Sequence, residues 1–462
     1  MRLLTIFYLA CLHLAAAAER PNVVLLMADD LGWGDVGFNG GKIIETPSLD
    51  AMAESGMVFE RFYSAAPVCS PTRGSCLTGR HPFRYGVYFA NKGHLRAPEI
   101  TLPELLGKLG YATGHFGKWH LGTLSAEFSG KGKGRAPEKN HMTPGMAGFD
   151  QWFSTEYSVA TWDPYDPKNK HGGGEYDTRR LFWHNGENVT EPQKGDSARI
   201  VMDRAVPFIE KAVKAEKPFF TVIWFHAPHS PVVGGPEYRK RYAEHPVPNQ
   251  HYYACVTAMD EQIGRLRKTL RDLGVADNTL VTFCSDNGPA RQGDAEHVGS
   301  PGPFRGFKTT LWEGGVRVPA VIEWPGKIEA GSRTKSTAVT SDYLPTLLDI
   351  VDLPVPEDRP IDGISLLSVF EGNDAPRSEP IGFQSSRQRV WMDGDLKLIT
   401  TNDGKKWELY DLGKDPSEKT DIAAEHPEKV KAMTEALDDW RASCKHSDQG
   451  GDYPKAEKAG GE

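Results

Sequence analysis

The sequence predicts an α/β chain: a large domain with a mixed, mostly parallel sheet between layers of helices, then a small C-terminal antiparallel α+β subdomain. Three observations carry this. Nearly continuous apolar runs at 22–28, 218–225 and 278–284 read as strands buried on both faces, as in parallel sheets. Segments of helical spacing, 198–214 and 252–273 among them, lie between those runs. Beyond residue 376, short alternating runs take over.

At 462 residues the chain exceeds one ordinary core. The expected division is a leader at 1–18, a large domain at 19–375, the subdomain at 376–446 and a disordered Gly- and Lys-rich tail at 447–462. The 54 basic and 62 acidic side chains give a net charge of −8 without any basic block, which argues against nucleic acid as a partner. Met1-Arg2, an apolar run from Leu3 to Leu14 and Ala15–Ala18 read as a secretory signal. That run is too short to span a membrane, so no membrane span is expected after cleavage, and the protein is expected to be exported to a periplasmic or extracellular space. Cleavage removes Cys11 and leaves Cys69, Cys76, Cys255, Cys284 and Cys444, without zinc-type spacing or a disulfide framework. Cys255 and Cys284 read as core residues.

Taken in order, Asn22–Ala28 ends in Asp29-Asp30, two carboxylates at the carboxyl end of a central strand, where open α/β sheets bind ligands. A helix follows from about Pro47 to Ser55, capped by Thr46 or Ser48 and closed by Gly56. In Cys69-Ser70-Pro71-Thr72-Arg73, Ser70 reads as an N-cap and Pro71 as the first helical residue, which puts Cys69 at a helix mouth with Arg73 in the first turn. A thiol facing an anion site of this kind suggests a nucleophile for an anionic substrate.

Leu102–Leu109 reads as a helix, and the strand after it ends in Gly117-Lys118-Trp119-His120. On an extended chain Lys118 and His120 share a face. Residues 123–193 are rich in Gly, Pro, Lys and aromatics, including Trp152, Tyr157, Trp162 and Tyr165, whose rings either stack on sugars or pack loops. Asn188-Val189-Thr190 fits a glycosylation acceptor. Pro218–Phe225 ends in His226-Ala227-Pro228-His229, and Asn278–Cys284 ends in Ser285-Asp286-Asn287. If the first and last of these strands are neighbours, Asp29, Asp30, Asp286 and Asn287 meet, and an all-oxygen set with three negative charges selects calcium or magnesium over zinc. Later, 389–399 reads as a hairpin turning at Asp393-Gly394, 407–412 as a strand and 427–440 as a helix.

Several of these stretches together resemble the type I sulfatases, of alkaline-phosphatase-like fold. Cys69-x-Pro71-x-Arg73 with Leu77-Thr78-Gly79-Arg80 is similar to the family signature, and so is Gly117-Lys118-Trp119-His120-Leu121-Gly122. The same holds for Pro228-His229-x-Pro231 and for Arg305-x-x-Lys308-x-x-x-Trp312-Glu313-Gly314-Gly315-x-Arg317.

The resemblance implies a sulfuric ester hydrolase in which Cys69 is oxidised to formylglycine (3-oxoalanine) by a formylglycine-generating enzyme or an anaerobic maturase. It implies calcium, with magnesium second, bound by Asp29, Asp30, Asp286, Asn287 and residue 69. Arg73, Lys118 and Lys308 are then expected on sulfate, His120 beside the formylglycine hydroxyl, and His229 on the leaving group. Arg305, Glu313 and Arg317 are expected to form a buried ion-pair framework, and His226 to be structural. A sulfated carbohydrate of galactose or N-acetylgalactosamine type is the expected partner. A formylglycine-dependent phosphate or phosphonate ester hydrolase and a non-catalytic sulfated-glycan-binding protein are the alternatives.

Overall fold

The computed structural model describes residues 20–130, 135–166, 168, 181–291 and 298–453, so the expected leader lies outside the described residues. Ten strands form one sheet: β1 (Asn22–Ala28), β2 (Met57–Tyr63), β5 (Ala112–Lys118), β6 (Gln151–Thr155), β7 (Phe182–His184), β8 (Glu187–Asn188), β9 (Phe219–Trp224), β10 (Thr279–Ser285), β11 (Ala320–Glu323) and β12 (Ser332–Val339). A separate hairpin pairs β3 (Val87–Phe89) with β4 (Lys92–Gly93). The large sheet runs β12-β2-β11-β10-β1-β9-β5-β6-β7-β8. β1 sits at its centre, parallel to both β9 and β10, and every residue of these three strands is buried. The antiparallel β11, between β10 and β2, makes the sheet mixed.

Alternate side chains of β1 feed two hydrophobic layers. Val24 and Leu26 join a cluster that holds Ile209 and Val256, from the helices Ser197–Lys214 and Val247–Asp272. Val23, Leu25 and Met27 join another, with Cys76, Leu106 and Leu344 from the helices Cys69–Thr78, Leu102–Lys108 and Tyr343–Ile350. The C-terminal strands β13 (Ile381–Ser385), β14 (Gln388–Asp393), β15 (Leu396–Thr400) and β16 (Glu408–Asp411) form an antiparallel meander, with the helix Pro427–Asp448 after it.

Several boundaries differ from expectation. The helix expected to start at Pro71 behind Ser70 begins at Cys69, with Val68 as N-cap. Thr72 makes the bracing contact instead, its hydroxyl bonding both N–H and C=O of Ala66 at 3.1 and 3.0 Å, while Ser70 Oγ accepts from Asn91 N. The helix expected from Tyr252 starts at Val247, because Pro248 fits a first helical turn. The last helix runs eight residues past Trp440, since Cys444 and Ser447 continue the buried stripe of Met433 and Leu437. β14 and β15 pair Asp393 with Leu396, so the turn is Gly394-Asp395, one residue later than expected. The tail expected to be disordered is ordered as far as Tyr453, where Asp452 pairs with Arg80 and Tyr453 OH donates to Glu99 at 2.6 Å. Its remainder lies outside the described residues.

Candidate active site

Because β1 and β10 run side by side in register, with Ala28 opposite Ser285, their carboxyl ends deliver Asp29-Asp30 and Asp286-Asn287 to one place. Asp30 turns through the left-handed region at φ +68°, and its N–H donates to Asp286 Oδ1 at 3.1 Å. Asn287 Nδ2 donates to Asp30 Oδ1 at 2.7 Å. Cys69 arrives from the helix across the sheet end, so that one ligand atom each from Asp29, Cys69 and Asp286 lie within 4.8 Å of one another. All five residues are buried.

Cations surround this acidic centre. Arg73 is fully buried, donating from Nε and Nη2 to Asp286 Oδ2 at 3.1 and 2.6 Å, with Nη2 3.6 Å from Asp29 Oδ1. Its guanidinium lies 5.1 Å from the Trp224 ring centroid. Lys118 Nζ donates to Asp29 Oδ2 and Lys308 Nζ to Asp30 Oδ2, each at 2.7 Å. His229 presents Nε2 3.7 Å from Asp30 Oδ2, and its Nδ1 bonds the Ser230 carbonyl at 2.6 Å. His120 lies past the end of β5 at φ +60°, so the chain turns between it and Lys118 and strand alternation does not put them on one face. His120 Nε2 meets Asn91 Oδ1 at 2.9 Å.

Burial opposes charge throughout this centre, and the neighbours decide which groups carry it. Against burial, Lys118 holds the Asp29 carboxyl well below the usual range, and Lys308 does the same for Asp30 more weakly. Burial, with repulsion from Asp29, pushes Asp286 up to about 7 despite Arg73. Asp30 outweighs burial at Lys308 and raises its ammonium. Burial depresses His229 to about 3 and raises the Cys69 thiol, which makes an unmodified thiol a poor nucleophile here. Asp29 Oδ1 and Asn287 Oδ1 are buried and accept no hydrogen bond among the described residues. Two such oxygens beside three crowded carboxylates fit a hard divalent cation.

Two residues not picked out from the sequence also reach the centre. Ser158 Oγ donates to Asp29 Oδ2 at 2.5 Å, and Asn91 joins His120 to Ser70. Glu313 and Arg317 form the expected buried pair, extended by Lys397 at 2.8 Å, but Arg305 does not join it. Arg305 instead stacks on Trp312, 3.6 Å from the ring centroid, and donates to Tyr410 OH and the Glu418 carbonyl. Trp152 is buried in the sheet core on β6, and Tyr157 is buried just beyond that strand. His226 is fully buried and burial holds its ring at about 3, consistent with a structural place.

Residues 21–353 match the family model described as Sulfatase. The chain belongs to the sulfatase family. It is a type I sulfatase of alkaline-phosphatase-like fold and a sulfuric ester hydrolase. Residues 304–443 of this sulfatase also match the model for N-sulphoglucosamine sulphohydrolase, C-terminal. It is 35% identical over 391 residues to N-acetylgalactosamine-6-sulfatase of Canis lupus familiaris, covering 80% of this chain and 70% of the relative. To arylsulfatase G of Rattus norvegicus it is 32% identical over 428 residues, with coverage of 84% and 77%. The crystal structure of Ps i-CgsB in complex with k-i-k-neocarrahexaose superposes at TM-score 0.80 and 29% identity, over 92% of this chain and 93% of that one.

Proposed function

We propose that the protein removes sulfate from a sulfated glycan by attack of residue 69, as formylglycine, on sulfur. The observation that carries this reading is the meeting of Asp29, Cys69 and Asp286 within 4.8 Å, ringed by Arg73, Lys118, His229 and Lys308. Oxidised to formylglycine, residue 69 supplies a hydrated aldehyde, one oxygen to attack sulfur and the other to expel sulfate later. Asp29, Asp30, Asp286 and Asn287, with residue 69, would hold a calcium ion, which when bound supplies positive charge to the nucleophile and the sulfate.

The chain's own groups do the rest. Lys118 and Lys308 bring ammonium groups to the sulfate oxygens, and Arg73 fixes the carboxylates beneath them. With Nδ1 bonded to the Ser230 carbonyl, His229 exchanges protons through Nε2 and serves the departing alcohol, as does Lys308. The negative charge of a bound sulfate ester works against the burial that keeps the His229 ring neutral. With Asn91 Oδ1 as acceptor, His120 carries its proton on Nε2 and offers Nδ1 as a base toward the remaining hydroxyl.

The relative named N-acetylgalactosamine-6-sulfatase and the neighbour bound to a neocarrahexaose support a galactose-type or N-acetylgalactosamine-type sulfate as substrate. The leader-like N-terminus supports export.

Cys69→Ala is expected to abolish sulfate release with unchanged thermal unfolding, and normal turnover by that variant would overturn the mechanism. Intact-mass analysis of the Cys69 peptide reports whether the thiol has been oxidised. A preference in kcat/KM for a phosphate ester over the matched sulfate ester would move the substrate assignment to phosphate.

A further inference from the structure

Between the two sheets lies a cleft of about 520 Å3, a size ordinary for small-ligand sites, that the catalytic reading leaves unused. His81, Arg84, Asp362, Phe383, Trp391 and Trp440 line it. His81 and Arg84 follow the C-terminal end of the helix Cys69–Thr78, so roughly 15 Å of helix separates the cleft from the nucleophile.

The ionic groups of the cleft satisfy one another. Arg84 donates to both oxygens of Asp362 at 2.7 and 2.9 Å and to Ser443 and Ser447 at 2.8 and 3.1 Å. Asp362 also accepts from His81 N at 2.6 Å and from Trp440 Nε1 at 3.0 Å. A sulfate or carboxylate would therefore find no unpaired cation among these groups. Phe83 N donates to His81 Nδ1 at 3.3 Å, and burial keeps the imidazole neutral, so its proton is on Nε2. That buried N–H has no hydrogen-bond acceptor among the described residues. Glu379, exposed at the rim, adds a carboxylate acceptor.

The remaining walls are aromatic. The half-buried indoles of Trp391 and Trp440 stand 6.3 Å apart at 57°, and His81 packs edge-on to Trp440 at 4.6 Å. Flat apolar faces with a carboxylate acceptor at the rim suit a ligand with one C–H face and several hydroxyls.

We propose that this interdomain cleft is a second, non-catalytic carbohydrate site that takes an uncharged sugar unit. The assignment rests on the reading that the substrate is a glycan, whose unsulfated units the cleft would hold while a sulfated one is processed at residue 69.

Saturation-transfer NMR and calorimetry with N-acetylgalactosamine and a desulfated carrageenan tetrasaccharide test it. Wild-type protein is expected to bind at least one of the two, and excess inorganic sulfate is expected to leave that binding unchanged. Trp391→Ala is expected to weaken binding about tenfold while hydrolysis of a small aryl sulfate continues. Glu379→Gln, at an exposed position, gives a second variant that leaves the core packing intact, with a smaller loss expected. No binding by wild type, full binding by both variants, or displacement by sulfate would each overturn the proposal. Failure of the wild type to hydrolyse aryl sulfates would instead sink the catalytic reading.

Discussion

Asn91, at the tip of the hairpin between β3 and β4 with φ +60°, reaches from one position to Ser70 and to His120. Its amide sets which nitrogen of His120 carries the proton, so Asn91→Ala is expected to lower kcat roughly ten- to a hundredfold with little change in KM. A pH profile of kcat displaced in Asn91→Ala would separate this positioning effect from loss of fold. The four metal-type oxygen donors were legible in the sequence because each pair directly follows an apolar strand run. Asn91 and Ser158 were not, since each stands alone in a loop and meets its partner 29 or 129 residues away. Lys118 reaches Asp29 from the strand that the apolar pattern predicts, but the left-handed turn at His120 is a backbone event that two-residue spacing does not encode.

At the scale of elements, the helix Ser197–Lys214 is held at its start by Asp196, which accepts from Ala198 N and Arg199 N at 2.8 and 3.1 Å. Burial raises the Asp196 carboxyl to about 7. A carboxyl raised in the folded state contributes stability that is present below its unfolded value of about 4 and is lost as pH rises through 7. The contribution is at most about 4 kcal/mol. Asparagine caps as well as aspartate, so Asp196→Asn is expected to keep the helix and flatten the fall in unfolding free energy between pH 4 and 8. An unchanged slope in urea titrations across that range would refute this. Strand interiors and the types of the long helices follow from apolar patterning. Helix ends depended on local partners: Thr72 reaches back to Ala66, and Pro248 opens its helix, neither visible in periodicity.

At the scale of the whole molecule, the two sheets are joined through charge as well as apolar contact. Lys397 on β15 is fully buried and pairs with Glu313 and Glu418 at 2.8 Å each. Lys397→Met would take from the buried carboxylates of Glu313 and Glu418 the ammonium they share, and the expected loss is about 3 to 5 kcal/mol in chemical unfolding. A framework around Glu313 was legible in the sequence but not this partner, which lies on β15 of the small sheet, because patterning does not say which surfaces of two units meet. Every residue of the helix Cys69–Thr78 is buried, between the short helix Pro82–Tyr85 with β3 and the helix Tyr343–Ile350. That sets an order of events in the life of the chain. With residue 69 oxidised as proposed, burial leaves the thiol open to a maturing enzyme only before the chain folds, so purified protein folded with an unconverted thiol is expected to gain no activity when given that enzyme afterwards, whereas the same enzyme supplied during synthesis is expected to yield active product.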